Sequence, residues 1–128
     1  LGVTDIATVK QCVRAADDFG KKVVVDMICV DNIPAKVTQM EELGAHILAV
    51  HTGADQQAEG RTPLDDLKVM TDCAKKAKIA VAGGISSKTM DKYVALKPDI
   101  IIVGSAITRA ADPVAEARLI KEAIKKSQ

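Results

Sequence analysis

Four short stretches carry residues able to do chemistry, and in each of them polar or glycine residues meet an apolar run. "VVVDM" sets Asp26 inside a β-branched run, and "ILAVHTG" runs into His51, Thr52 and Gly53. "IAVAGG" ends on Gly83 and Gly84, and "IIIVGS" ends on Gly104 and Ser105. Histidine changes charge closest to neutral pH and can take up and return a proton during a reaction. A carboxylate in an apolar run is costly to bury unless it is paired or opens into a cleft. Asp26 is therefore a candidate general base, hydroxyl acceptor or metal ligand, with a structural ion pair as the competing reading. Glycine lets an anion approach the main chain, and amides at a helix start direct partial positive charge at it. Gly83, Gly84, Gly104 and Ser105 are thus candidate phosphate holders, with Lys88 or Arg109 as nearby cations and tight turns as the plainer alternative. Asp55, Gln56 and Gln57 follow His51 on a loop that either meets substrate hydroxyls or is simply hydrated. His46, at the other end of the same apolar run, reads as a packing residue.

These positions need a scaffold that brings strand ends together. Ile6, Val9, Val13 and Ala16 recur at helical spacing between Thr4, a candidate N-cap, and Gly20, a stop. "KKVVVDMICV" lacks alternation, as expected of a strand covered on both faces. Ile33, Val37, Met40 and Leu43 mark the next helix, closed by Gly44, and "HILAV" the next strand. Thr62 and Pro63 form an expected N-cap and N1 pair for a helix whose Leu67, Met70, Ala74 and Ala77 face inward. "KIAVAGG" is a third strand, and Ser86 or Ser87 is expected to cap a short helix through Leu96. "PDIIIVG" is a fourth strand, and Asp112 with Pro113 opens a last helix with Ala117, Ile120 and Ile124 inward. Strands alternating with helices imply an α/β fold with a parallel sheet and right-handed crossovers. Two architectures use that unit, the (βα)8 TIM barrel and the open doubly wound sheet, and both gather function at the carboxyl ends of the strands. With four strands the chain is expected to be either an open sheet or part of a barrel, beginning in mid-fold at Leu1.

Composition excludes several classes. A chain of 128 residues supports one domain, taken as residues 1–128. Eighteen basic and seventeen acidic residues leave a formal charge of +1, which offers no footprint for nucleic acid or an anionic membrane. No apolar run of membrane-spanning length occurs, and Asp5, Asp17 and Asp18 interrupt the first 20 residues, so a soluble, unsecreted, cytoplasmic protein is expected. Cys12, Cys29 and Cys73 lack disulfide or zinc spacing and are expected as free core thiols. With Phe19 and Tyr93 the only aromatics, the core must come from Val, Ile, Leu, Ala and Met.

Taken together, "VVVDMICVDN", "AVHTGADQQAEGRTP", "IAVAGGIS" and "PDIIIVGSAITRAADP" resemble the 3-hexulose-6-phosphate synthases, a branch of the orotidine 5'-monophosphate decarboxylase suprafamily of (βα)8 barrels. The resemblance runs nearly end to end, and its most specific part is the VHTGxDQQAxG pattern. It implies that these strands are strands 5 to 8 of a barrel. It implies an aldehyde-lyase of the ribulose monophosphate pathway, adding formaldehyde reversibly to the enediolate of ribulose 5-phosphate with magnesium. In that reading His51 lies near the reacting carbons, Asp26 contacts substrate, and Gly84, Gly104 and Ser105 hold the phosphate. It also implies a homodimer. The family's metal ligands and its Asp-x-Lys-x-x-Asp signature belong to strands 1 to 3, and no such motif occurs here. The chain is thus expected to supply the phosphate-binding half and to be inactive by itself. The related 3-keto-L-gulonate-6-phosphate decarboxylases carry an arginine at the place of Ala54, which favours the synthase. A non-enzymatic phosphate-binding half-barrel paired with a second copy, and a flavodoxin-like signalling domain with only Asp26 for its acidic cluster, are the competing readings.

Overall fold

The computed structural model describes residues 1–60 and 62–126; Arg61, directly after the VHTGxDQQAxG pattern, and the last two residues lie outside that description. The chain runs α1 (Ile6–Asp18), β1 (Val24–Asp26), α2 (Ile33–Glu42), β2 (Ile47–His51), α3 (Ala54–Ala58) and α4 (Leu64–Cys73). It continues with β3 (Lys78–Ala82), α5 (Met90–Val94), β4 (Ile100–Ile102), α6 (Ser105–Thr108) and α7 (Pro113–Lys126). The four strands form one parallel sheet in chain order, β1-β2-β3-β4. Strand order never reverses, so the sheet has no crevice of the kind at which doubly wound folds bind ligands.

The register decides where the helices lie. Laterally paired residues of a parallel sheet point to the same side, and the side alternates along each strand. Val25, Leu48 and Ile79 share one face with Val50, Val81 and Ile101. These residues pack with Val9 and Val13 of α1, Val37 and Met40 of α2, Leu67 and Met70 of α4, Met90 and Tyr93 of α5, and Ile120 of α7. The opposite face carries Val24, Asp26, Ile47, Ala49, His51, Ala80, Ala82, Ile100 and Ile102. Its only buried cluster, among the described residues, is Ile47, Ala49 and Ala80, to which no helix contributes. A doubly wound sheet carries helices on both faces, so that architecture and the flavodoxin-like reading are excluded. Helices on one face and an open second face are the arrangement of a partial barrel. Val24, Ile100 and Ile102 remain 53%, 36% and 48% exposed on the open face.

Several local expectations are corrected. Asp5, not Thr4, caps α1, its carboxylate accepting from the Thr8 amide at 3.2 Å. α4 starts at Leu64 with Pro63 at the cap position and no side-chain cap, so Thr62 does not serve there. That helix stops at Cys73, and Ala74 turns extended, leaving Ala74 and Ala77 as packing residues of the connection to β3. Thr89, not Ser86 or Ser87, stands at the start of α5, which ends at Val94 rather than Leu96. The strand expected across "KKVVVDMICV" pairs only over Val24–Asp26, because the chain turns after Met27. Cys12 and Cys29 are free but exposed, and only Cys73 is half-buried.

At the amino-terminal end of the strands, two side chains lock the base. His46 Nδ1 accepts the Val23 amide at 3.1 Å and Nε2 lies 2.9 Å from Asp17, tying β2 to β1 and α1. Glu41 Oε1 accepts the amides of Lys75, Lys76 and Ala77 at 2.8, 2.7 and 2.9 Å. Partial burial raises the Glu41 pKa, yet the three amides, aided by the charge of Lys76, together outweigh it and hold the carboxyl below its ordinary value. A lowered folded-state pKa contributes stability that is complete above the unfolded value and is lost as pH falls through the folded one. Glu41→Gln should therefore destabilise the fold by about 1 kcal/mol at neutral pH, solvent screening keeping the loss small. The gap between variant and parent should close as acid protonates Glu41. Urea unfolding at neutral and acid pH measures both; a gap that stays constant in acid would refute the charge-assisted account.

Candidate functional site

The carboxyl-terminal rim of the sheet brings the singled-out residues to one edge of the open face. Asp26 ends β1 opposite Ala49, and His51 ends β2 two residues farther along on the same face. This diagonal offset lets the side chains meet: His51 Nδ1 lies 2.8 Å from Asp26 Oδ2. The second oxygen of Asp26, Oδ1, accepts the Ile28 amide at 3.0 Å. Both carboxylate oxygens are thus engaged, and the ring orientation is fixed from behind. Because a carboxylate only accepts, the contact assigns the hydrogen to Nδ1 and leaves a lone pair on Nε2. The two side chains are 37% and 33% exposed, so the pair is open to a ligand without being loosely solvated. This geometry joins the two readings of Asp26: it is a paired carboxylate whose hydrogen-bond partner is the candidate proton carrier.

The glycine turns lie one strand farther along. β3 and β4 are paired up to Ala82 and Ile102, and two residues past that pair stand Gly84 and Gly104. Gly83 has φ +114° and Gly84 φ +64°, conformations that side chains with a Cβ rarely adopt. A Cβ on Gly83 would fall 2.6 Å from the Thr52 carbonyl oxygen and 3.1 Å from its nitrogen. The first glycine therefore lets the turn after β3 lie directly against the main chain that follows His51. Gly104 faces open space, with nothing within 4 Å of a built Cβ. Ser105 begins α6, whose first amides have no partners inside the helix. Among the described residues no backbone carbonyl accepts from the amides of Gly84, Gly104 or Ser105. Ser87, past the turn, is held by Glu116 of α7, which accepts both its amide and its hydroxyl at 3.0 Å. Those two hydrogen bonds, amide first, hold the Glu116 pKa below its ordinary value. Lys88 and Arg109 are exposed flankers.

The stretch after His51 departs most from its sequence reading. Residues 54–58 are a helical turn, α3, and each glutamine spends one side-chain amide atom on the main chain. Gln56 Oε1 accepts the Gly53 amide at 3.1 Å, and Gln57 Nε2 donates to the Thr52 carbonyl at 2.8 Å. The signal was available, since a Gln three residues after a helix cap is the return arm of a capping box. Asp55 is exposed in the first turn of α3. Thr52 is 4% exposed and the one buried polar residue among those described. Behind the glycine turn lies a cavity of about 180 Å³, lined in part by Gln57, Gly83, Gly84, Thr89 and Tyr93. Among the described residues no three His, Cys, Asp or Glu side chains are grouped to hold a metal ion. No helix among the described residues is long and apolar enough to cross a membrane.

Residues 1–120 match the family model "Orotidine 5'-phosphate decarboxylase / HUMPS family". The chain is 45% identical over 124 residues to a 3-hexulose-6-phosphate synthase of Staphylococcus epidermidis, covering 97% of this chain and 59% of that protein. It is 44% identical, with the same coverage, to the 3-hexulose-6-phosphate synthase of Staphylococcus haemolyticus. Among solved structures it superposes on the 3-hexulose-6-phosphate synthase of Salmonella typhimurium with a TM-score of 0.96 at 59% identity, over 99% of this chain and 60% of that one. A 3-keto-L-gulonate-6-phosphate decarboxylase of Vibrio cholerae shares the fold, with a TM-score of 0.79 at 20% identity, over 99% of this chain and 59% of that one. The chain thus spans 59% of the length of the curated relatives it matches.

Proposed function

As this chain belongs to the orotidine 5'-phosphate decarboxylase / HUMPS family, we propose that it is the phosphate-holding and proton-handling part of a 3-hexulose-6-phosphate synthase, contributing strands 5 to 8 of a (βα)8 barrel. The observation that carries the reading is the Asp26–His51 pair, 2.8 Å apart on the open sheet face beside two glycine turns. Formaldehyde and ribulose 5-phosphate join by one new carbon–carbon bond. A proton leaves the sugar carbon and a proton ends on the new hydroxyl, so no atom is lost. Nε2 of His51, aimed away from Asp26, takes or returns that proton. The amides of Gly84, Gly104 and Ser105, with Gly83 shaping the turn, hold the phosphate at the other end of the substrate. Holding the substrate at two points converts an encounter into a positioned reaction. The magnesium that accompanies this chemistry takes its ligands from outside the described residues. A homodimer is part of the same reading, as is the cytoplasmic setting of a sugar-phosphate enzyme. The synthases stand far nearer in sequence than the decarboxylase, which favours the aldol reaction over decarboxylation.

Hexulose phosphate formation from formaldehyde and ribulose 5-phosphate tests this directly. The chain alone should give no turnover, whereas the chain joined to the remaining part of the Staphylococcus epidermidis synthase should turn over at an enzymic rate. A joined protein that binds the sugar phosphate and forms no product would overturn the synthase reading. Full activity from the 128 residues alone would overturn the division of labour.

A further inference from the structure

We propose that Gln57 is a positioning residue that sets the spacing between His51 and the phosphate-holding turn, an inference that rests on the synthase reading for its kinetic consequence. Its side chain touches both halves of the site. Nε2 donates to the carbonyl of Thr52, the residue after His51, at 2.8 Å. Oε1 packs against Gly84, lying 2.8 Å from the point a Cβ there would occupy. The main chain on both sides is short of other ties. Thr52 is joined to β3 by a long 3.4 Å hydrogen bond to Ala82, and the turn past Gly83 leaves the sheet. A small cavity lies behind the same contact, so apart from the close approach of Gly83 to Thr52 little packing fixes where Gly84 sits. Gln57 itself is held at its root, since its amide donates to Gly53 at 2.9 Å and α3 is closed by the Gln56–Gly53 bond. The amide side chain therefore works as a strut from a fixed base, hydrogen-bonded to one strand end and in contact with the other.

A substrate pinned by its phosphate presents its reacting carbon to His51 only if that spacing is right, and an error of about 1 Å can cost a hundredfold in rate. Gln57 touches neither phosphate nor reacting atoms in this reading. Its loss should fall on kcat more than on sugar-phosphate binding.

Two variants test this. Gln57→Met keeps the length of the side chain and removes the donor, and Gln57→Glu keeps the shape but sets a carboxylate against the Thr52 carbonyl. In the protein joined to full synthase length, each should lower kcat about ten- to hundredfold with KM for ribulose 5-phosphate changed less than threefold. Equal falls in kcat and affinity for inorganic phosphate, or parent-like kinetics, would overturn the inference. A joined parent without turnover would sink the synthase reading instead, and the strut is then judged by amide hydrogen exchange in this chain. Exchange at the Thr52 amide, which donates to Ala82, should rise at least tenfold in Gln57→Met while that at Leu48, in the core, stays unchanged. Unchanged exchange at Thr52 would overturn it, whatever the reaction.

Discussion

His51→Gln, made in the protein joined to full synthase length, should lower kcat by roughly 10²- to 10⁴-fold, the range that positioned proton transfer supplies. Glutamine fills similar space and can hydrogen-bond Asp26, but it has no atom that takes up a proton and returns it. In the proposed reading the phosphate is held by main-chain amides away from His51, so KM for the sugar phosphate should move little. Asp26→Asn should cost a comparable factor for a different reason. The carboxylate now fixes the hydrogen on Nδ1, whereas an asparagine amide can donate to that nitrogen and drive the hydrogen to Nε2. The ring would stay in place with its reactive nitrogen blocked. Steady-state kinetics of both variants decide the matter, and a kcat within tenfold of the parent in His51→Gln would remove the histidine from the chemistry.

Gly83→Ala should be the most damaging single methyl group in the described rim. The residue sits at φ +114° and its added Cβ would lie 2.6 Å from a main-chain oxygen, which has no rotamer with which to escape. Backbone strain of about 1–3 kcal/mol adds to overpacking of about 1–3 kcal/mol, giving a loss of roughly 2–6 kcal/mol. Gly104→Ala supplies the control, for the same atom meets nothing within 4 Å and should cost less than about 1 kcal/mol. Denaturant unfolding of this chain measures both. Similar losses at the two glycines would show that close approach to Thr52 is not what position 83 requires. In the joined protein, Gly83→Ala should also weaken sugar-phosphate binding, because a displaced turn carries the Gly84 amide with it.

Much of this arrangement was readable from residue types. The α/β class and the four strands follow from the apolar runs, and the helices α1, α2 and α4 follow from Val9 with Val13, Val37 with Met40 and Leu67 with Met70, all of which are buried. What did not follow was the side of the sheet on which they would pack. A parallel strand such as "ILAV" is apolar on both faces, so its sequence is silent about which face a helix covers. Only the register separates Leu48 and Val50 from Ile47 and Ala49. The Asp26–His51 contact was hidden for the same reason, because residues 25 positions apart meet only through the pairing of β1 with β2. Gln56 and Gln57 stayed open between substrate contact and hydration, because their bonds to Gly53 and Thr52 arise only once the chain coils into α3. Ala74 and Ala77 kept a helical period past the end of α4, where the strong helix propensity of Ala and Lys is overruled by the bonds that Glu41 makes with the amides of Lys75, Lys76 and Ala77.

The chain-order sheet bears on how this protein is built over time. Each strand pairs with the one made just before it, so every strand–helix unit can dock as it emerges, and no late strand must be threaded between earlier ones. Such near-neighbour pairing keeps loop closures short and favours fast assembly. The same order postpones the protection of both sheet edges and of the stripe formed by Val24, Ile100 and Ile102 until a covering layer is in place. During that interval the growing chain is sticky on the side that carries Asp26 and His51. In the proposed barrel this same surface would line the reaction chamber, so the face assigned to chemistry is also the one most in need of a chaperone before it is covered.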